Sequence, residues 1–330
     1  MLFFVICACF ALFPEQVLYG AQNGLALCIN ALIPSLLPFM LVSSCVIKSG
    51  FSRPFGAALS KILSPITNLS AEGCVCFLTG LFGGFGVGAR AVYESYREKQ
   101  ITKEEAERIL PFCNNAGPLF IIATVGISFF MSKSIGVLLF LVQVATAIIC
   151  ARVLGTEIKK KRITLKDEWA YYKKNKPSIG ELITSCAIES AGAIINACVF
   201  VITFSAILEI LPFGEHRILS GILEVTRGVA ELSRDGERAI PVISALLAWG
   251  GMSVHFQASA LTKGAFDMKP YYFGKIIASV ISYLITLAIC SDTYMFLYLS
   301  AGILLIAFVT KLIFSPKGTQ QRVFRQRQHS

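Results

Sequence analysis

The chain has 330 residues, of which 55% are hydrophobic and 15% charged, and its mean hydropathy is +0.67. Soluble domains carry about 25% charged and about 45–50% apolar residues, so water is excluded as the main solvent. The formal net charge of +10 does not point to nucleic acid, because the basic residues fall between and after apolar stretches, which is how membrane topology is written.

Apolar runs recur along the whole length with no Pro/Ser-rich linker between them. The fold class expected is all-α: a polytopic helical membrane protein of about seven to nine apolar segments, with two repeats whose glycine-interrupted helices either span or re-enter. Residues 1–154 form the first membrane half, 155–180 a basic loop, 181–314 the second half and 315–330 a basic tail.

In chain order, residues 1–13 are apolar but short and have no Lys or Arg ahead of them, so they read as a retained first helix instead of a cleavable signal. Residues 15–28 are mixed and read as interfacial. Residues 30–49, 134–154, 182–211, 272–290 and 294–314 have the length and polarity of spans, while 73–90, 118–131 and 240–263 are ambiguous. Residues 91–110 carry too many charges for hydrocarbon, and Thr102 followed by Glu105 is a capping box that starts a helix there. Such a helix lies along the surface or beneath the bundle, and residues 218–232 read similarly.

The loop 155–180 holds eight Lys or Arg against three acids, which places it in the cytoplasm of a bacterial cytoplasmic membrane. The tail, with Lys317, Arg322, Arg325 and Arg327, is basic too, and an even number of crossings separates the two. Basic segments of this kind make membrane lipid a partner.

Sliding the sequence by 167 residues aligns Gly83-Gly84 with Gly250-Gly251, Val87 with Val254, Ala91 with Ala258 and Arg108 with Lys275. Paired glycine-interrupted segments point to a midplane binding site between repeats. Residues 73–90 hold six glycines, each costing a helix interior up to about 1 kcal/mol relative to Ala, so either a broken helix or close helix packing is needed. Asn114 and Asn115 sit in a Pro-bounded break between helical stretches, where backbone and amides either serve a ligand or form a plain turn. Ser253, His255 and Gln257 follow Gly250-Gly251 in an otherwise apolar segment, and Glu189, Glu224 and Arg227 are further intramembrane polar candidates. Gly83 and Gly84 complete the candidate set.

The eleven cysteines mostly lie in apolar segments, and Cys74-Val75-Cys76 lacks the spacing of a zinc site. His216, His255 and His329 have no ligand partners at helical spacing, and no phosphate loop or nucleophile elbow is present. No enzyme activity, cofactor, metal or nucleic-acid partner is therefore expected.

Three stretches carry a family likeness: Gly80-Leu-Phe-Gly-Gly-Phe-Gly-Val-Gly-Ala-Arg90, the run from Ile101 to Phe120 with its Pro-Phe-Cys-Asn-Asn-Ala-Gly-Pro break, and Gly250-Gly-Met-Ser-Val-His-Phe-Gln257. Together with Pro34-Ser-Leu-Leu-Pro-Phe39 and Gly221-Ile-Leu-Glu-Val-Thr-Arg-Gly228, they resemble the YlbJ-type sporulation integral membrane proteins of the nucleoside-recognition, or gate-domain, family. The resemblance implies a membrane protein of spore-forming bacteria whose gate-like repeats look like the core of concentrative nucleoside transporters. The chain departs from the pattern where Phe85-Gly86 replaces a Tyr-Pro of the family's glycine segment. Two functions follow as expectations: a transporter or channel for a small polar solute, nucleosides among the candidates, or a non-transporting assembly factor of the spore envelope. A second copy of the chain is a candidate partner in either.

Overall fold

The computed structural model describes residues 2–154, 165–211 and 217–290, and the regular structure among them is helical. The expected span 294–314, the tail 315–330 and the run Lys159 to Arg162 lie outside the described residues. Among the described residues, four helical runs are long and apolar enough to cross a membrane, or six if two sharply bent pairs each count as one.

The chain opens with α1 (Leu2–Leu12) and α2 (Pro14–Leu27), then a π-helical turn (Cys28–Leu32) that runs straight into α3 (Ile33–Lys48). Helix α2, which covers the stretch read as interfacial, packs lengthwise on α10 (Ile179–Ile210). Small residues make this approach possible: a Cβ on Gly20 would lie 2.6 Å from the Ser205 carbonyl oxygen, and one on Gly24 2.8 Å from Ile202 Cα. Helix α10 has 32 residues, roughly 48 Å at about 1.5 Å per residue, and so overreaches a hydrocarbon core of about 30 Å.

Amphipathic α4 (Ser52–Thr67) bends by 86° into α5 (Ala71–Gly83). Ser70 caps α5 by accepting from Gly73 N–H at 2.9 Å, and Thr102 caps α7 (Lys103–Cys113) by accepting from Glu105 N–H at 3.2 Å, half of the expected capping box, while the Glu105 carboxylate accepts from the Ser70 hydroxyl. Between them α6 (Val87–Arg97) returns antiparallel to α5. A Cβ on Gly80 would sit 1.5 Å from the Cys113 carbonyl oxygen and one on Gly88 1.7 Å from the same atom, so three backbones meet at van der Waals contact. Positive φ at Gly84 (89°) and Gly86 (80°) turns the chain at the tip, a conformation that costs other residues steric strain. Residues 73–97 are thus one helical hairpin instead of a span.

After the break Asn114–Pro118, a π-helical segment (Leu119–Phe129) continues α7 and packs against α8 (Lys133–Leu154) through Gly126 and Gly136. Helix α9 (Leu165–Asn175) carries Trp169 and Tyr172 against Phe51 of the α3–α4 turn, and Glu168 pairs with Arg53 at 2.7 Å. This aromatic cluster with lysines beside it has the composition of a membrane–water boundary.

Residues 218–232, expected as one amphipathic helix along the surface or beneath the bundle, instead form a second hairpin, α11 (Arg217–Leu223) and α12 (Val225–Leu232), with Glu224 at its tip. Gly221 and Gly228 let it close, since a Cβ on Gly228 would lie 2.1 Å from Gly221 Cα. A 3-10 turn (Ser233–Ala239) leads to α13 (Ile240–Trp249), α14 (Gly251–Leu261) and α15 (Lys269–Cys290), the last antiparallel to α13. The run Val225–Leu261 is 72% buried over its apolar window against 39–44% for the other three, which makes it the enclosed strip of the bundle.

The base of the first hairpin faces α9 across a hollow of about 520 Å³, whereas the second hairpin starts beyond the opposite end of α10, where Arg217 pairs with Asp235. The two hairpins therefore enter from opposite sides. The 167-residue offset matches a hairpin tip to a helix break; like meets like when Gly80 and Gly88 are paired with Gly221 and Gly228, and the break after α7 with the break at Gly250.

Lys275 of α15 is fully buried, and its ammonium donates to the carbonyl of Asn114, which caps α7, and at 3.3 Å to that of Ala248 in the last turn of α13. No carboxylate among the described residues lies within ion-pair distance of it. The ends of two helices supply the countercharge instead.

Three substitutions test this packing by thermal unfolding in detergent. Gly80→Val overfills the crossing and lowers stability by about 3 kcal/mol or abolishes folded protein, while Gly192→Ala, with nothing within 4 Å, leaves the midpoint unchanged or raised. Lys275→Met strands two buried carbonyls and costs about 2–3 kcal/mol; a midpoint equal to that of the parent would contradict its role as the clamp.

Candidate functional site

The first hairpin tip docks on the break after α7. Gly86 N–H donates to Asn114 Oδ1 at 2.8 Å, Asn114 Nδ2 donates to the Tyr271 hydroxyl at 2.9 Å, and a Cβ on Gly117 would lie 3.0 Å from Gly84 Cα. Asn115 donates to the Phe112 carbonyl at 2.5 Å and accepts from Gln143 at 3.1 Å. Both asparagines are buried, but their amides are occupied within the protein, and they act as cross-links between helices. Gly83 lies at the end of α5 with Val87 pressed against it, so with Gly84 it shapes the tip through backbone.

The second tip docks on the break at Gly250 in the same manner. Trp249 Nε1 donates to the Ile222 carbonyl at 3.0 Å, and a Cβ on Gly251 would lie 2.9 Å from Val225 N. Glu224 is 1% exposed and caps α12, accepting from Arg227 N–H at 2.6 Å. The helix N-terminus favours its charge, and among the described residues no basic side chain comes within ion-pair distance.

Phe85 from the first tip, Glu224 and Thr226 from the second, and Ser253 and Gln257 of α14 line a cavity of about 30 Å³ together with apolar side chains of α3, α10 and Phe120. Ser253 and Gln257 are 2% and 4% exposed, and Ser253 Oγ and Gln257 Nε2 have no hydrogen-bond partner. Buried polar groups are nearly always satisfied, so two bare ones on residues that flank one small, mostly apolar void single this place out within the bundle. About 10–15 Å³ accommodates one water, hence the void takes one or two small species and no nucleoside as it stands.

Of the remaining candidates, His255 donates from Nε2 to the Trp249 carbonyl at 3.1 Å and is boxed by Trp249, Tyr271 and Tyr272, leaving its buried Nδ1 bare and away from the cavity lining. Arg227 points to the other face of the hairpin, where it bridges Glu209 and Glu231 at 2.8 Å each. Glu189 belongs to a separate charge cluster with Lys48 and Arg90, the latter also paired with Glu94 at 2.9 Å. That cluster edges a hollow of about 260 Å³ lined by Tyr93, Asn196, Leu261 and Lys263. Structure thus unites only Glu224, Ser253 and Gln257 of the polar residues singled out in the sequence and adds Thr226 and Phe85. Gln143 and Lys275 were findable as polar residues inside apolar spans.

No family model matches the chain, and no solved structure matches it. Over 311 residues, 81% of this chain and 76% of the relative, it is 25% identical to the sporulation integral membrane protein YlbJ of Bacillus subtilis (strain 168). Similarity of that extent, together with an all-helical fold of several apolar segments, supports the YlbJ-type family of integral membrane proteins for this chain.

Proposed function

We propose that the chain binds and moves a small polar solute across a bacterial cytoplasmic membrane, with the cavity between the two hairpin tips as its site. One observation carries this reading: two helical hairpins entering from opposite sides end, with a helix break, at a single small void flanked by residues with unpartnered buried polar groups. Backbone irregular at membrane depth is tolerated only in protein or beside a watery cavity, and two such breaks at one point serve binding better than they serve packing. The void admits only one or two small species in this conformation, so a larger solute requires a hairpin to shift. The 260 Å³ hollow gives a route from the α9 side, where Leu261 and Ala193 belong to the same apolar cluster as cavity-lining Leu32, Leu36 and Val201.

A second reading is favoured by the relative's description as a sporulation integral membrane protein: a non-transporting assembly factor of the spore envelope, in which the tips pack and nothing passes. A thermal-unfolding screen of the purified protein against nucleosides, nucleobases, amino acids and small carboxylates separates the two. A ligand at 100 times its Kd stabilises the fold by about 2.7 kcal/mol, and that shift is lost in Gln257→Leu on the transport reading. Absence of any shift across all classes favours the assembly factor.

The loop 155–180 and the C-terminus face the cytoplasm on the positive-inside rule. A cysteine at Lys173, in a background without accessible thiols, is therefore labelled by a membrane-impermeant maleimide only after the cells are opened. Labelling of intact cells would reverse the orientation.

A further inference from the structure

We propose that the Arg90–Glu189 ion pair is a breakable latch between the first hairpin and α10, a step that rests on the solute-site reading and names the contact that opens when that hairpin shifts. Four charges form the cluster around it. Arg90 and Glu94 lie on α6, the returning arm of the hairpin, Lys48 ends α3, and Glu189 belongs to α10. Lys48 lines the hollow of about 520 Å³ on the α9 side, Arg90 and Glu189 line the hollow of about 260 Å³, and Glu94 lines both. The cluster is therefore the partition between the two hollows.

The pairing is arranged so that opening strands no charge. Arg90 donates to Glu189 and, at 2.9 Å, to Glu94 on its own helix, while Glu189 also accepts from Lys48. Of these contacts only Arg90–Glu189 crosses from the hairpin to α10. Once it parts, Arg90 keeps Glu94 and Glu189 keeps Lys48. Exposure points the same way: the Glu189 side chain is 42% exposed, so water reaches it from the hollow and replaces the lost partner. Ion pairs with an exposed member contribute little and part readily, whereas a buried charge that loses its partner is costly. Lys275, fully buried on two carbonyls, is by that measure a permanent clamp, and Arg90–Glu189 a reversible one.

The latch is mechanically close to the tip. Arg90 stands about one helical turn from Gly86, so a shift of α6 away from α10 carries Gly86 and Phe85 with it. Phe85 is one wall of the small void, and Ala197, Phe200 and Val201 of α10 are another. Parting the latch therefore joins the two hollows and widens the void in a single movement. The α10 surface beside the latch is already open: a Cβ on Gly192 would meet nothing within 4 Å, and Asn196, one turn further on, lines the 260 Å³ hollow near the middle of the helix.

The test is hydrogen–deuterium exchange of the full-length purified protein without solute, read on peptides covering residues 84–97 and, as internal reference, 217–232. Glu189→Gln is expected to speed exchange of the first hairpin about tenfold and to leave the second unchanged. Glu94→Gln removes a neighbouring charge but keeps the latch, so exchange of the first hairpin stays the same or slows. Arg90→Gln breaks the same contact from the other side and carries the test should Glu189→Gln not fold. Unchanged exchange in Glu189→Gln, an equal rise in Glu94→Gln, or a rise spread over both hairpins overturns the latch. Because exchange needs no ligand, the two ideas fail separately: faster exchange with no responsive solute in the thermal screen sinks the transport reading while the latch stands, and a responsive solute with unchanged exchange sinks the latch only.

Discussion

A fully buried lysine without an acid holds the centre of this bundle. Moving an ammonium out of water is expensive, and in hydrocarbon it demands partners. Lys275 finds them in Asn114 and Ala248, the carbonyl ends of α7 and α13. Each helix C-terminus is equivalent to roughly half a negative charge, so two together approach a full countercharge without a carboxylate. The geometry forces α7, α13 and α15 to one point, and α7 and α13 are the leading arms of the two broken helices. Every break and tip of the site is placed relative to that point.

Glycine makes the rest of the convergence possible. Gly80 and Gly88 let a hairpin lie on the Cys113 carbonyl, and Gly221 and Gly228 let a second close on itself from the other side. In lipid, where apolar side chains gain nothing by leaving the solvent, such close backbone contact is a main source of helix association. The two halves differ in how each tip is fastened. Asn114 grips the first through Gly86, whereas the Trp249 indole grips the second through Ile222.

Element identity was largely legible in the sequence, since spans announce themselves by length and polarity, and Thr102 with Glu105 marked the start of α7 correctly. The misreadings share a cause. Residues 218–232 looked like a surface helix because Glu224, Arg227 and Glu231 are charged, yet Arg227 is neutralised partly by Glu209 on α10, a contact no local pattern reveals. Glu189 was drawn into the candidate set as an intramembrane acid, and its partners Lys48 and Arg90 lie on other helices. Asn114 and Asn115 stood out correctly as polar residues at a break, but whether an amide faces a ligand or a neighbour depends on Tyr271 and Gln143, far away in the chain. The 167-residue repeat failed because matching glycines carry no direction: a hairpin tip and a helix break look alike in letters.

The chain contains two tryptophans, and their positions differ sharply in environment. Trp169 sits in the aromatic cluster of α9, remote from the tips. Trp249 forms the helix break itself, with its indole N–H on the second tip and its ring 4.1 Å from that of His255. Any movement of that tip breaks the indole hydrogen bond and alters the contact with the imidazole, so intrinsic fluorescence from one of only two emitters reports on the state of the site, and the protein carries its own optical gauge of opening.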